Sequence, residues 1–184
     1  MPSALQNVSE FLLGTLLGLY VIAMVLRLLF GLSRADYYNP ISQFIVTITN
    51  PPLLLMRRLV PSIGRFDSSA LLLAVALKML EIGLIAGMHG VSVPIAGLLI
   101  VSLVAIVRLV IWIYIISIIV QAVMSWFQAG GGMGRNPVAD LVFSLNYPIL
   151  TPIRRVLPQM GMVDLSPLVA IIGLNVLLIL INSL

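Results

Sequence analysis

Cysteine is absent from the 184 residues, and histidine occurs once, at His89. The first absence excludes disulfide frameworks, thiol catalysis, iron–sulfur clusters and Cys-ligated zinc, and the second leaves no His-rich metal site. Charge is scarce too. Asp, Glu, Lys and Arg make up 9 % of the chain, against about 25 % in soluble domains. So few charges cannot coat a water-facing surface, which excludes a soluble domain. Apolar residues fill the gap, at 61 %. No nucleophile–base pair, metal cluster or nucleotide fingerprint is present. The Gly-rich run 129–134 lacks the lysine and spacing of a phosphate loop and reads as a turn. The expectation is a non-enzyme without cofactor or metal. The net charge of +4 sits beside apolar runs, which gives nucleic-acid binding little support.

What the chain has in abundance is apolar sequence long enough to cross a bilayer. A spanning helix needs about 20 apolar residues, because the hydrocarbon core is about 30 Å thick. Four stretches qualify: 11–32, 69–88, a third within 91–127 and 165–184. The third is too long for one ordinary span and barely long enough for two. Pro94 and Gly97 place its helix start near Ala96, so a long tilted helix, or a short interfacial piece before it, is expected. The first ten residues carry no Lys or Arg, and no small-residue cleavage site follows, so the first helix reads as retained rather than as a signal peptide.

Arginine counting orients the spans. Arg34, Arg57, Arg58 and Arg65 lie between spans one and two, and Arg135, Arg154 and Arg155 between spans three and four. The N-terminal tail, the 89–95 connection and the C-terminus hold none. Both long loops are therefore expected on the cytoplasmic side and both termini outside.

The two arginine-bearing loops repeat one another. With Asn39-Pro40 set over Asn136-Pro137, an offset of 97 residues, Pro51 falls on Pro148 and Leu53 on Leu150 without a gap. Arg57-Arg58 falls on Arg154-Arg155, Pro61 on Pro158, Gly64 on Gly161, Asp67 on Asp164 and Ser69 on Ser166. The fold expected is an all-α integral membrane domain covering 1–184. Its four spans form two parallel two-helix repeats, about 8–90 and 96–184, each with a short amphipathic interfacial helix between its spans.

The repeated order Asn-Pro, a mid-loop proline, Arg-Arg and Pro-x-x-Gly-x-x-Asp resembles the YggT family of bacterial inner-membrane proteins. The segment Arg34-Ala35-Asp36-Tyr37-Tyr38-Asn39-Pro40 is similar to the proteobacterial form. The resemblance covers nearly the whole chain and implies a bacterial inner-membrane location. It links the chain to osmotic tolerance and potassium uptake, to cell division and, through plastid relatives, to cytochrome assembly and nucleoid distribution. It supplies no catalytic residue.

Physically, Asn39-Pro40 and Asn136-Pro137 read as helix starts, since Asn caps well and Pro suits the first helical position. Apolar residues then recur at helical spacing until Pro51 and Pro148, where a break is expected. Arg57, Arg58, Arg154 and Arg155 can pair with Asp67 and Asp164 or bind anionic headgroups or an acidic partner. Pro61, Gly64, Asp67, Pro158, Gly161 and Asp164 read as structural: a turn, then a carboxylate capping the next helix.

Inside the spans, Lys78 and Glu81 share one helix face, and Asn175 stands at the Lys78 register in the second copy. The three are a candidate intramembrane polar cluster, read either as a helix-locking group or as an ion or proton site. Arg27 and Arg108 read as snorkelling to headgroups. Gly14-x-x-x-Gly18 and Gly83-x-x-x-Gly87 predict close contact of spans one and two, or a homodimer seam. The function expected is a scaffold or assembly factor organising partner proteins or lipids at the cytoplasmic face. The alternative is a channel, transporter or transport regulator. Expected partners are membrane lipids together with other proteins or a second copy.

Overall fold

The computed structural model describes residues 4–58, 60–62, 64, 66–129, 136–157 and 164–183. Among the described residues six helices follow one another: α1 (Ala4–Leu32), α2 (Pro40–Met56), α3 (Ser68–Met88), α4 (Ile95–Ala129), α5 (Pro137–Val156) and α6 (Ser166–Asn182). Helices α1, α3 and α4 are long and apolar enough to cross a membrane. Helix α6 is apolar but shorter, at 17 residues. The ambiguous third stretch is one unbroken helix of 35 residues that starts at Ile95. Pro158, Gly161, Arg65, Arg135 and the Gly-rich run 130–134 lie outside the described residues.

Local sequence accounts for the helix ends. Asn39 and Asn136 accept the backbone N–H of Ile41 and Val138, each at 3.0 Å, so each Asn-Pro pair starts a helix. Helix α1 stops where Arg34 turns to a φ of 56°. There the Ala35 N–H returns to the Phe30 carbonyl at 3.0 Å, the six-to-one closure of a left-handed C-cap. Helix α3 closes the same way: Gly90 has a φ of 69°, and the Val91 N–H reaches the Ala86 carbonyl at 2.9 Å.

One expectation fails: neither short helix breaks at its proline. Helix α2 continues through Pro51 and Pro52, and α5 through Pro148 and Pro152. Of the two alternatives for the glycine pairs, close contact of α1 with α3 or a homodimer seam, the first is not made at the glycines. A Cβ added at Gly14, Gly18 or Gly87 would meet nothing within 4 Å, and at Gly83 it would meet Leu98 of α4 at 3.7 Å. The N-terminal part of α1 is largely exposed, and its burial begins at Val21.

The chain divides into two compact units, Met1–Leu28 with Ile45–Leu109, and Leu29–Phe44 with Val110–Leu184. The divisions fall inside α1, α2 and α4 rather than between the sequence repeats. In the first unit Val21, Met24, Val25, Leu53, Ala70 and Ala74 are buried. In the second, Ile111 and Ile115 of α4 pack with Leu178 of α6, and Ile118 packs with Leu150 of α5 and Ala170 of α6.

Candidate functional site

The polar side chains of the first unit converge where α1, α2 and the start of α3 meet. Consecutive prolines at 51 and 52 deprive the Ile48 carbonyl of both helical donors, the N–H three residues on and the N–H four residues on. The Tyr20 hydroxyl of α1 donates to that carbonyl at 2.9 Å. This explains why α2 survives its prolines: a buried carbonyl left bare would cost about 1–3 kcal/mol, and here it has a partner.

Two helical turns further along α1, Arg27 turns inward. Its side chain is 10 % exposed, so it does not snorkel. Its Nη1 donates to the Val46 carbonyl at 3.2 Å, to Thr49 Oγ1 at 2.7 Å and to Asn50 Oδ1 at 2.8 Å. Its Nε lies 3.8 Å from Asp67 Oδ2. Arg57 Nη2 donates to the same carboxylate oxygen at 2.5 Å, while Asp67 Oδ1 caps α3 by accepting the Ala70 N–H at 3.2 Å. One carboxylate thus joins α1, the end of α2 and the start of α3. Ser68 and Ser69 donate to the Pro61 and Val60 carbonyls at 2.7 and 2.5 Å and fix the turn. Gly64 occupies the left-handed region there, with a φ of 60°.

The second unit solves the same problem with neutral groups. Asn146, at the register of Thr49, is fully buried on α5. It accepts the Ser117 hydroxyl at 2.6 Å and donates to Gln121 Oε1 at 2.8 Å, both on α4. Prolines 148 and 152 stand four apart, so each deprives one carbonyl of one donor, and Ser117, at the register of Tyr20, is left for Asn146. Arg154 Nε donates to Asp164 Oδ2 at 2.8 Å. Asp164 lies one residue before the N-cap position, Leu165, and accepts the Ser166 N–H at 2.9 Å. Burial raises the Asp164 pKa, but the hydrogen bonds from Ser166 and Arg154 and the Arg154 charge outweigh it, and the carboxyl lies below its ordinary value.

Asn39 has a second bond besides its cap: its Nδ2 donates to the Pro137 carbonyl at 2.7 Å, tying the start of α2 to that of α5. A cavity of about 260 Å³ lies beside this bond, lined by Asp36, Tyr38, Asn39, Pro40, Pro137 and Asp140.

Within α3, Lys78 Nζ donates to Glu81 Oε1 at 2.6 Å, with the side chains 23 % and 9 % exposed. Glu81 Oε2 is buried without a partner among the described residues. Asn175, the third residue of the expected cluster, is exposed on α6 and donates to its own helix at the Ile171 carbonyl, 2.8 Å away. Of the four repeated arginines, Arg57 and Arg154 pair with their aspartates, while Arg58 and Arg155 are exposed. Sequence reasoning missed Tyr20, Thr49, Asn146, Gln121 and Ser117. The repeat register, which sets Thr49 over Asn146 and Tyr20 over Ser117, was the available signal.

Apolar helices of this length, tied by inward-facing polar side chains, define a multi-helix membrane protein. The CCB3/YggT family profile matches two tandem segments, 6–88 and 100–184. The chain belongs to that family. An uncharacterised Pseudomonas aeruginosa protein is 37 % identical over 183 residues, covering 98 % of this chain and 91 % of its own. The uncharacterised protein YggT of Escherichia coli K12 is 37 % identical over 175 residues, covering 94 % and 88 %. A Vibrio alginolyticus protein described by its position in the proC 3′ region is 36 % identical over 177 residues, covering 92 % and 91 %. No solved structure matches the chain.

Proposed function

We propose that this chain is a non-enzymatic, four-span protein of the bacterial inner membrane that organises partner proteins or lipids at the cytoplasmic face. In this reading α6 is the fourth span. Its 17 residues extend about 25 Å, the lower end of what a bilayer accepts. The two family segments are parallel repeats, with α2 and α5 in the cytoplasmic interface and both termini periplasmic, as the arginine asymmetry favours.

One observation carries the scaffold reading. The polar groups Arg27, Thr49, Asn146, Gln121 and Asp67 face inward and join helices, while the C-terminal part of α2 exposes Pro51, Leu54 and Leu55 before the exposed Arg58, and α5 exposes Tyr147, Pro148 and Pro152 before the exposed Arg155. Such a surface is suited to contact with membrane or partner. The test is purified protein in liposomes, assayed for potassium and proton flux. The scaffold reading requires flux no higher than in empty vesicles, and protein-dependent flux would sink it. For topology, alkaline phosphatase fused after Leu184 should be active and after Gly64 silent. The reverse pattern would end the orientation.

A second reading, a channel, transporter or transport regulator in potassium or osmotic homeostasis, is favoured by one feature. Glu81 lies within α3 with one carboxylate oxygen unpartnered among the described residues, and such groups inside spans often mark ion or proton paths.

A further inference from the structure

The two arginines of each repeated pair face different surroundings. The first is paired within the chain: Arg57 with Asp67, and Arg154, itself 46 % exposed, with Asp164. The second is exposed, and among the described residues neither Arg58 nor Arg155 has an ion pair or a side-chain hydrogen bond. In α5 helical spacing explains the division, since neighbours on a helix point about 100° apart; Arg57 and Arg58 lie in the turn just past Met56, the last residue of α2.

Each outward arginine ends an apolar stripe. Pro51, Leu54 and Leu55 fall three and four residues apart, one face of α2, and Arg58 follows in the turn just past its end. All four are exposed, Leu54 at 58 % and Leu55 at 65 %. The same register in the second copy holds Pro148, Thr151, Pro152 and Arg155, of which Thr151 alone is half-buried. Val156, beside Arg155, is 85 % exposed. An apolar strip ending in a guanidinium matches an acyl chain ending in a phosphate. Arginine also pairs with phosphate in a forked, two-bond geometry.

We infer that Arg58 and Arg155 each hold the phosphate of an anionic phospholipid, its acyl chain lying along 51, 54 and 55 in one copy and 148, 151 and 152 in the other. The inference rests on the membrane-scaffold reading and names the lipid class that its cytoplasmic face selects. Arg57 and Arg154 build the two sites without touching the lipid.

The test is lipid binding to the purified full chain, measured by native mass spectrometry with phosphatidylglycerol against phosphatidylcholine of equal chain length. A basic side chain near an anionic headgroup gives about a fivefold preference. Wild type should favour phosphatidylglycerol by that factor per site, and Arg58→Gln/Arg155→Gln should favour neither lipid. Arg58→Lys/Arg155→Lys should keep most of the preference, and both double variants should melt at the wild-type temperature. The single Arg58→Gln and Arg155→Gln variants should each lose one site, which keeps the test decisive if a double variant is poorly folded. An unselective wild type, or undiminished selectivity in the Gln variants, overturns the inference. Equal occupancy by free glycerol 3-phosphate would mean that the guanidinium alone binds phosphate, and would overturn the lipid assignment. Because nothing here reads ion flux, an unselective protein would remove the lipid sites and leave the liposome result to decide the scaffold.

Discussion

Replacing Tyr20 by Phe removes one hydroxyl and leaves the ring. If that hydroxyl is what lets α2 pass its two prolines, the Ile48 carbonyl loses the partner it has at 2.9 Å. No helical N–H can take its place, because positions 51 and 52 are both proline. A part-buried carbonyl stripped of its donor costs about 1–3 kcal/mol. On the scale of soluble domains of this size, each kcal/mol lowers Tm by about 3 °C. Tyr20→Phe should therefore melt about 3–9 °C below wild type in one detergent at one protein concentration. The same change in a Pro52→Ala background is the sharper measurement. The alanine brings back an N–H four residues from Ile48, so the carbonyl is satisfied with or without Tyr20. Tyr20→Phe should then cost a few tenths of a kcal/mol at most, and the double-mutant cycle should return a coupling of about 1 kcal/mol or more. Equal costs of Tyr20→Phe in the two backgrounds would refute the reasoning, and would mean that α2 tolerates its prolines for another reason.

Three further outcomes are expected. Asn146→Ala strands the Gln121 carbonyl and leaves the Ser117 hydroxyl only the Tyr114 carbonyl, 2.9 Å away, so it should destabilise by about 1–3 kcal/mol, from one buried group losing its bond; a thermal melt within 1 °C of wild type, about 0.3 kcal/mol, would contradict the burial of this joint. Lys78→Met or Glu81→Leu alone should lower Tm, since removing one partner of a buried pair costs about 3–5 kcal/mol, while the double change should recover much of the loss. Single variants as stable as wild type would mean that both charges reach water. The Asp164 carboxyl, held below its ordinary value by Ser166 and Arg154, stabilises the fold above the unfolded carboxylate pKa of about 3.9. That contribution is lost as pH falls through the folded value, so the Tm gap between wild type and Asp164→Asn should shrink on acidification and stay flat from pH 6 to 8.

What was legible in the sequence was local or compositional. Asn39-Pro40 and Asn136-Pro137 state their helix starts in two residues, and apolar runs state α1, α3 and α4 by length alone. What was not legible depended on partners distant in the chain. The prolines of α2 read as a break because the donor that compensates for them sits 28 residues away from Ile48, at Tyr20. Arg27 read as a snorkelling side chain because it lies near a span end. It turns inward because Thr49, Asn50 and Asp67 offer it acceptors that only the fold assembles. For Asn146 the repeat register was the one signal, pointing to Thr49 and Ser117, while its bond to Gln121 appears only in the fold.

Asn39 carries two tasks in one side chain. Its oxygen caps α2, and its amide N–H₂ holds the Pro137 carbonyl. Asp, Ser or Thr would perform the first task nearly as well. A carboxylate or a hydroxyl cannot reproduce the oxygen-and-amide pair. A change to any of those capping residues would therefore keep the helix start and release the tie between the starts of α2 and α5.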